Sequence, residues 1–147
     1  DEFESALGPL LAESDAGDLT DFARRFVRAF VLVSAGSPDL VTLLIREGVA
    51  GGERLAYILG HLGLARAQFR VFVERLHAGG LLQTFSGDSL FHFLLFVGAA
   101  PFGIPALSGA LLGADASPEA HADRVVRVLL GSPPHPGWEM ARGAAQG

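Results

Sequence analysis

A chain of 147 residues, half of them hydrophobic and 18% charged, is long enough to bury one sizeable core and too apolar to stay disordered. It has no cysteine, which excludes a disulfide framework, a thiol nucleophile and a cysteine-based zinc site. A formal charge of −5 makes the chain by itself a poor nucleic-acid binder, and the acidic start carries no basic, then apolar leader; both suit a cytoplasmic protein.

Residues 1–13 read as the end of a helix, with Phe3, Leu7, Leu10 and Leu11 on one stripe and Pro9 as a local break. A turn over 14–17 follows. Asp18 then caps a helix to residue 35, in which Leu19, Phe22, Phe26, Phe30 and Val33 recur at helical spacing. Arg24, Arg25 and Arg28 fall on the other side and read as a solvated face. Ser37-Pro38-Asp39 is a cap, a proline at the first helical position and an acid; the helix it opens carries Leu40, Val41, Leu43 and Leu44 and stops near Gly48. Gly51-Gly52 permits a sharp turn. One long helix is expected over 53–78, with Leu55, Ile58, Leu59, Leu62, Phe69, Phe72, Val73 and Leu76 as its stripe and Gly79-Gly80 as its end.

No Asp, Glu, Lys or Arg occurs between Asp88 and Asp115, a run of 26 residues. A helix without a polar face must be covered all round, by its own fold, a partner chain or lipid. The run is long enough to span a bilayer, but Pro101, Pro105, an internal His92 and acidic flanks argue against a span. Its small residues, among them Gly98, Ala99, Gly103, Ala106, Gly109 and Ala110, would let another backbone approach closely. Pro101 is expected to kink the helix or split it near Gly103. Ser117-Pro118-Glu119 opens a last helix to Leu130, with Ala122, Val125, Val126 and Leu129 on one face, and 132–147 reads as a flexible tail. The sum is an all-α single domain of about six helices without a convincing strand.

Chemistry is sparse. Gly87-Asp88-Ser89-Leu90 spells an esterase signature, but it opens an apolar helix instead of following a strand, and Ser86 or Asp88 serves better as a cap. No two histidines stand at metal-binding spacing on a helix, so no metal or cofactor is expected, and no nucleophile–base pair marks an enzyme. His61 and His92 each interrupt an apolar helix. His92 is read as a polar group lining an apolar cavity; for His61 satisfaction by a carbonyl or a surface position is the favoured alternative. Tyr57 lies one turn before His61 and can face the same space. Phe26 with Phe30, Phe69 with Phe72, and Phe93 with Phe96 pair on three helices, which suits either a filled core or an apolar pocket.

In order, these helices resemble the C-terminal domain of TetR-family transcriptional regulators. The resemblance rests on residues 26–30 (Phe-Val-Arg-Ala-Phe), 37–47 (Ser-Pro-Asp-Leu-Val-Thr-Leu-Leu-Ile-Arg-Glu) and 51–55 (Gly-Gly-Glu-Arg-Leu), then on the long helix ending at His77-Ala78-Gly79-Gly80-Leu81, the apolar helix with Pro101 and the closing helix to Leu130. It covers roughly residues 18–131 and contains no catalytic motif. It implies a repressor's effector-sensing and dimerising domain over 14–131, with 1–13 the end of a helix from an N-terminal helix-turn-helix outside this chain. DNA would be bound only through that part, and no membrane is involved. The effector pocket among the middle helices would take a largely apolar small molecule, with Phe26, Phe30, Leu44, Tyr57, His61, Phe69, Phe72, His92 and Phe96 as candidate ligand-binding residues. A homodimer would form through a four-helix bundle of 87–113 and 118–130, with Leu95, Ala99, Phe102, Ala106, Ala110, His121, Val125 and Leu129 as candidate interface residues. The alternative is a stand-alone helical small-molecule or lipid-binding or interaction protein without a DNA-binding role.

Overall fold

The fold is built on helix α2 (Leu19–Gly36), whose start is fixed by the Asp18 carboxylate accepting the Thr20 N–H at 2.9 Å. Its Phe22, Phe26 and Phe30 recur every four residues, so all three point one way, and all are sealed from solvent. The computed structural model describes residues 2–13, 17–113 and 117–131. Over these it is all-α, without strand. Most of the turn expected at 14–17 and the tail expected at 132–147 lie outside the described residues.

Helix α1 (Glu2–Ala12) packs on α2 through Phe3 and Leu7. Pro9 does not break it: the proline sits on its exposed side and forfeits one hydrogen bond without ending the helix. Helix α3 (Pro38–Ala50) leaves α2 at 91°, with Pro38 in its first turn. It runs past Gly48 to Gly51, whose φ of 70° and Gly52's of 84° reverse the chain.

The long helix expected over 53–78 is two helices, α4 (Glu53–His61) and α5 (Gly63–Ala78), separated at Leu62. The apolar pattern runs unbroken through Leu62, but the break falls between Gly60 and Gly63, which weaken a helix, and Leu62 there turns in and is buried. Helix α4 has no fully buried side chain. Helix α5 ends in a Schellman motif, with Gly80 at φ 80° and the Leu81 N–H on the Leu76 carbonyl at 2.9 Å.

The uncharged run is broken into pieces. Ser86 and Ser89 form a reciprocal capping box that starts α6 (Gly87–Leu94). A π turn, Leu95–Ala99, leads into the short α7 (Ala100–Gly103), and the chain then bends by 88° into α8 (Pro105–Leu112). The split falls at Ile104, because a residue before proline is disfavoured in the α region; Ile104 takes φ −128°, ψ 56°. Side chains meet the carbonyls freed there: the Ser108 hydroxyl donates to Pro101 O at 2.7 Å and the Thr42 hydroxyl to Gly103 O at 3.0 Å. Helix α9 (Pro118–Leu130), capped by Ser117, lies along α2.

Much of the run is covered by its own fold. A Cβ at Gly103 would stand 2.7 Å from Val41 Cγ1 and 3.0 Å from Thr42 N, and one at Gly98 would stand 3.1 Å from Val31 Cγ2. Those glycines let α7 and the π turn seat against α3 and α2 within one chain. No single helix among the described residues is long and apolar enough to cross a membrane; two bent helix pairs, α2 with α3 and α6–α7 with α8, reach the required length and composition only jointly.

The arginine side of α2 is partly solvated, as expected, and also carries ion pairs. Arg25 reaches Glu13 at 2.8 Å and Asp21 at 3.0 Å, and these hydrogen bonds, Glu13's first, raise its pKa above the ordinary arginine value. Arg75 lies 4.2 Å over the Phe22 ring and donates to Glu13 O at 2.7 Å.

Candidate functional site

The aromatic centre of the molecule is filled. Phe26 stacks on Phe72 with centroids 3.9 Å apart, and Phe69 meets Phe26, Phe30 and Phe91 edge-on at 5.3, 5.2 and 5.1 Å. Phe26, Phe69 and Phe72, expected to line a ligand pocket, are therefore core residues with no space beside them.

A narrow apolar seam lies next to that centre, between α1, α2, α3, α5, α6 and the π turn. Phe3, Phe30, Ser34, Leu40, Val41, Leu44, Leu62, Ala65, Phe91, Leu95 and Ala99 line it. Its free volume, with clearance for a water-sized sphere, is about 10 Å³. That is the lower limit for a single water, and the apolar walls offer such a water few partners. Two expected ligand-binding residues, Phe30 and Leu44, are in its wall. Leu95 and Ala99, expected at a dimer interface, line it too, because the π turn rotates them toward α2. Ser34 is the one polar side chain in the wall; it is fully buried, and its hydroxyl donates to Phe30 O at 2.8 Å. Its place four residues after Phe30, a serine on an otherwise apolar face, was the available sequence signal for this site.

The other candidate ligand residues lie outside. Tyr57 is 69% exposed and lines an open groove of about 500 Å³ with Leu43, Glu53, Arg54 and Ile58. His61 is exposed, its ring 4.2 Å from the Tyr57 ring and tilted 46° to it, and its Nδ1 lies 3.0 Å from Tyr57 O. A carbonyl only accepts, so Nδ1 carries the proton and the ring is satisfied by its own helix. His92 is exposed on the outer side of α6 with its ring 4.9 Å from exposed Phe96, so neither lines the apolar seam. The polar residues of α6, Asp88, Ser89 and His92, recur at helical spacing and are all exposed, so polarity within Gly87–Leu94 did mark that outer side.

The candidate dimer residues divide similarly. Ala99 and Val125 are buried within the single chain, and Leu129 packs half-buried on the same core. His121 is half-buried, Nε2 3.0 Å from Val97 O and its ring edge-on to Phe102 at 5.5 Å. Only Ala106 and Ala110, on α8, are exposed. Around them Leu107 and Leu111 are exposed as well, and no side chain of α8 is fully buried.

Ser89 is engaged in capping, its hydroxyl receiving the Ser86 N–H at 2.7 Å. Among the described residues no three His, Asp or Glu side chains converge as metal ligands. No protein-family model, curated protein or solved structure matches the chain.

Proposed function

We propose that this chain is the effector-sensing and dimerising domain of a TetR-like transcriptional repressor, in which a largely apolar small molecule controls DNA binding by a part N-terminal to this sequence. The observation that carries the reading is Phe3. It stands on α1, the helix that the resemblance makes the connection to the DNA-binding part, and it is also a wall of the apolar seam, 5.6 Å from Phe30.

A ligand too large for the closed seam has to displace a wall. Interiors are packed densely enough to pass such a strain on, so a shift at Phe3 tilts α1. The ligand then favours one position of α1 by its differential affinity for the open seam. The walls select an apolar molecule, and Ser34 offers one hydroxyl to orient it. Helix α4 supports the reading as the entry gate. It is hinged on Gly51 and Gly52, buries no side chain fully, and ends at Leu62, which plugs the seam. Homodimerisation rests on α8, whose exposed leucines no described residue covers.

Titration with indole, followed by amide NMR, tests the reading. Saturable shifts in α1 and α3 are expected, and they should vanish in Ala65→Leu, which fills the seam. Shifts confined to the Tyr57 groove, or unchanged in the filled variant, count against it.

A further inference from the structure

We propose that the cleft between α2 and α9 binds a phosphate group. This inference is independent of the effector seam and of the regulator reading. Arg24 and Arg28 stand one turn apart on α2, and Arg127 faces them from α9. With Asp123 and the apolar Val126 they line a cleft of about 240 Å³. Three guanidinium groups against one carboxylate give this cleft a positive balance in a chain whose net charge is −5.

The bonds within the cleft are weak. Arg28 Nη1 is shielded from solvent and has no hydrogen bond among the described residues; Asp123 Oδ1 is 3.7 Å away. Arg24 Nη2 reaches Leu130 O at 3.4 Å, the long end for a hydrogen bond. A buried, unmatched guanidinium N–H is a costly feature, and an oxyanion meets it with charge-assisted bonds. Asp123 occupies the position of that anion poorly: it is too far for a hydrogen bond and supplies one charge. A tetrahedral phosphate group has oxygens enough for all three arginines, whose forked donors suit it. The chemistry fits free phosphate and a phosphomonoester alike.

Calorimetric titration of the whole chain with sodium phosphate, at ionic strength held with sodium chloride, is the test. Saturable binding is expected. Arg127→Gln, at an exposed position, should weaken it about tenfold, the loss of one charge-assisted contact. Asp123→Asn should tighten it, because a competing negative charge is gone. Arg46→Gln, on the exposed side of α3, should leave it unchanged. If the arginines only fasten α9 to α2, phosphate will not saturate, or Arg46→Gln will weaken it as much as Arg127→Gln; either result overturns the site. Glycerol 3-phosphate binding tighter than phosphate marks a phosphorylated metabolite as the ligand; equal affinity marks free phosphate.

Discussion

His121 Nε2 lies 3.0 Å from the carbonyl oxygen of Val97, which is the carbonyl that Pro101 cannot serve. In an α-helix the Val97 oxygen would accept the N–H four residues on, and proline has none. The histidine ring supplies that donor from α9, so Nε2 carries the proton. One hydrogen bond thus joins the proline site of the uncharged run to the last helix. His121→Ala should cost about 1 kcal/mol or somewhat more, since the carbonyl is partly buried. The cost should shrink when Pro101→Ala restores a backbone donor. A double-mutant cycle by urea unfolding measures the coupling, and independent, additive effects would remove the assigned role.

Phe26 and Phe72 make the tightest ring contact in the core, 3.9 Å between centroids and 14° from parallel. Both are fully buried, so truncation leaves a cavity that the surrounding rings cannot collapse into. Phe26→Ala and Phe72→Ala should each destabilise the chain by about 3–5 kcal/mol. Thermal and denaturant melts check this. A variant that kept its stability and lost only ligand affinity would restore these rings to a binding pocket.

Two glycines on helices should respond to alanine with opposite signs. A Cβ at Gly87 would lie 2.7 Å from Arg70 Cα and 2.9 Å from its nitrogen, so α5 and α6 must separate to admit it. Gly87→Ala should therefore cost about 1–3 kcal/mol. A Cβ at Gly60, within α4, meets nothing within 4 Å. Gly60→Ala should gain about 0.5–1 kcal/mol of helix stability and, if α4 is the gate, slow ligand entry. Unfolding midpoints read the first effect and stopped-flow binding of indole reads the second. A stable Gly87→Ala protein would contradict the close packing of α5 on α6.

Most boundaries that local chemistry controls were legible; Ser37, expected to cap α3, is the exception, its hydroxyl donating to the Glu2 carboxylate instead of accepting from α3. Asp18 caps α2, Ser86 caps α6 and Ser117 caps α9 because their side-chain oxygens reach the first free N–H groups, whatever the tertiary fold. The features that depend on what lies opposite were not. Leu62 continues the apolar pattern of 53–78, so that pattern hid the end of α4, which only the helix-weakening Gly60 and Gly63 on either side hinted at. Gly98, Ala99 and Gly103 look the same in sequence whether they admit α2 and α3 or a second chain. Phe26, Phe69 and Phe72 were compatible with a pocket until their rings were placed against one another. The α9 contacts of the α2 arginines were hidden because the carboxylate and carbonyl they meet are about a hundred residues away.

Helix α8 exposes two leucines, and the proposed dimer is tested there. Leu107 is 54% and Leu111 75% exposed, on a helix with no charged residue and no fully buried side chain. The 88° bend at Ile104 turns α8 away from α6 and α7, so a straight bundle over 87–113 is not the geometry available; a pairing centred on α8 is. Each substitution there enters a twofold interface twice. Burying one leucine contributes about 1.5–3 kcal/mol, so Leu111→Asp should raise the dimer dissociation constant by about two to four powers of ten. The monomer should keep its stability, since the side chain contributes little to the core. Light scattering across a dilution series, without detergent, gives the mass. A doubled mass in the wild type that halves in Leu111→Asp places the partner on α8. A wild-type monomer at every concentration would leave the seam intact as a binding site and remove dimerisation from the proposed function.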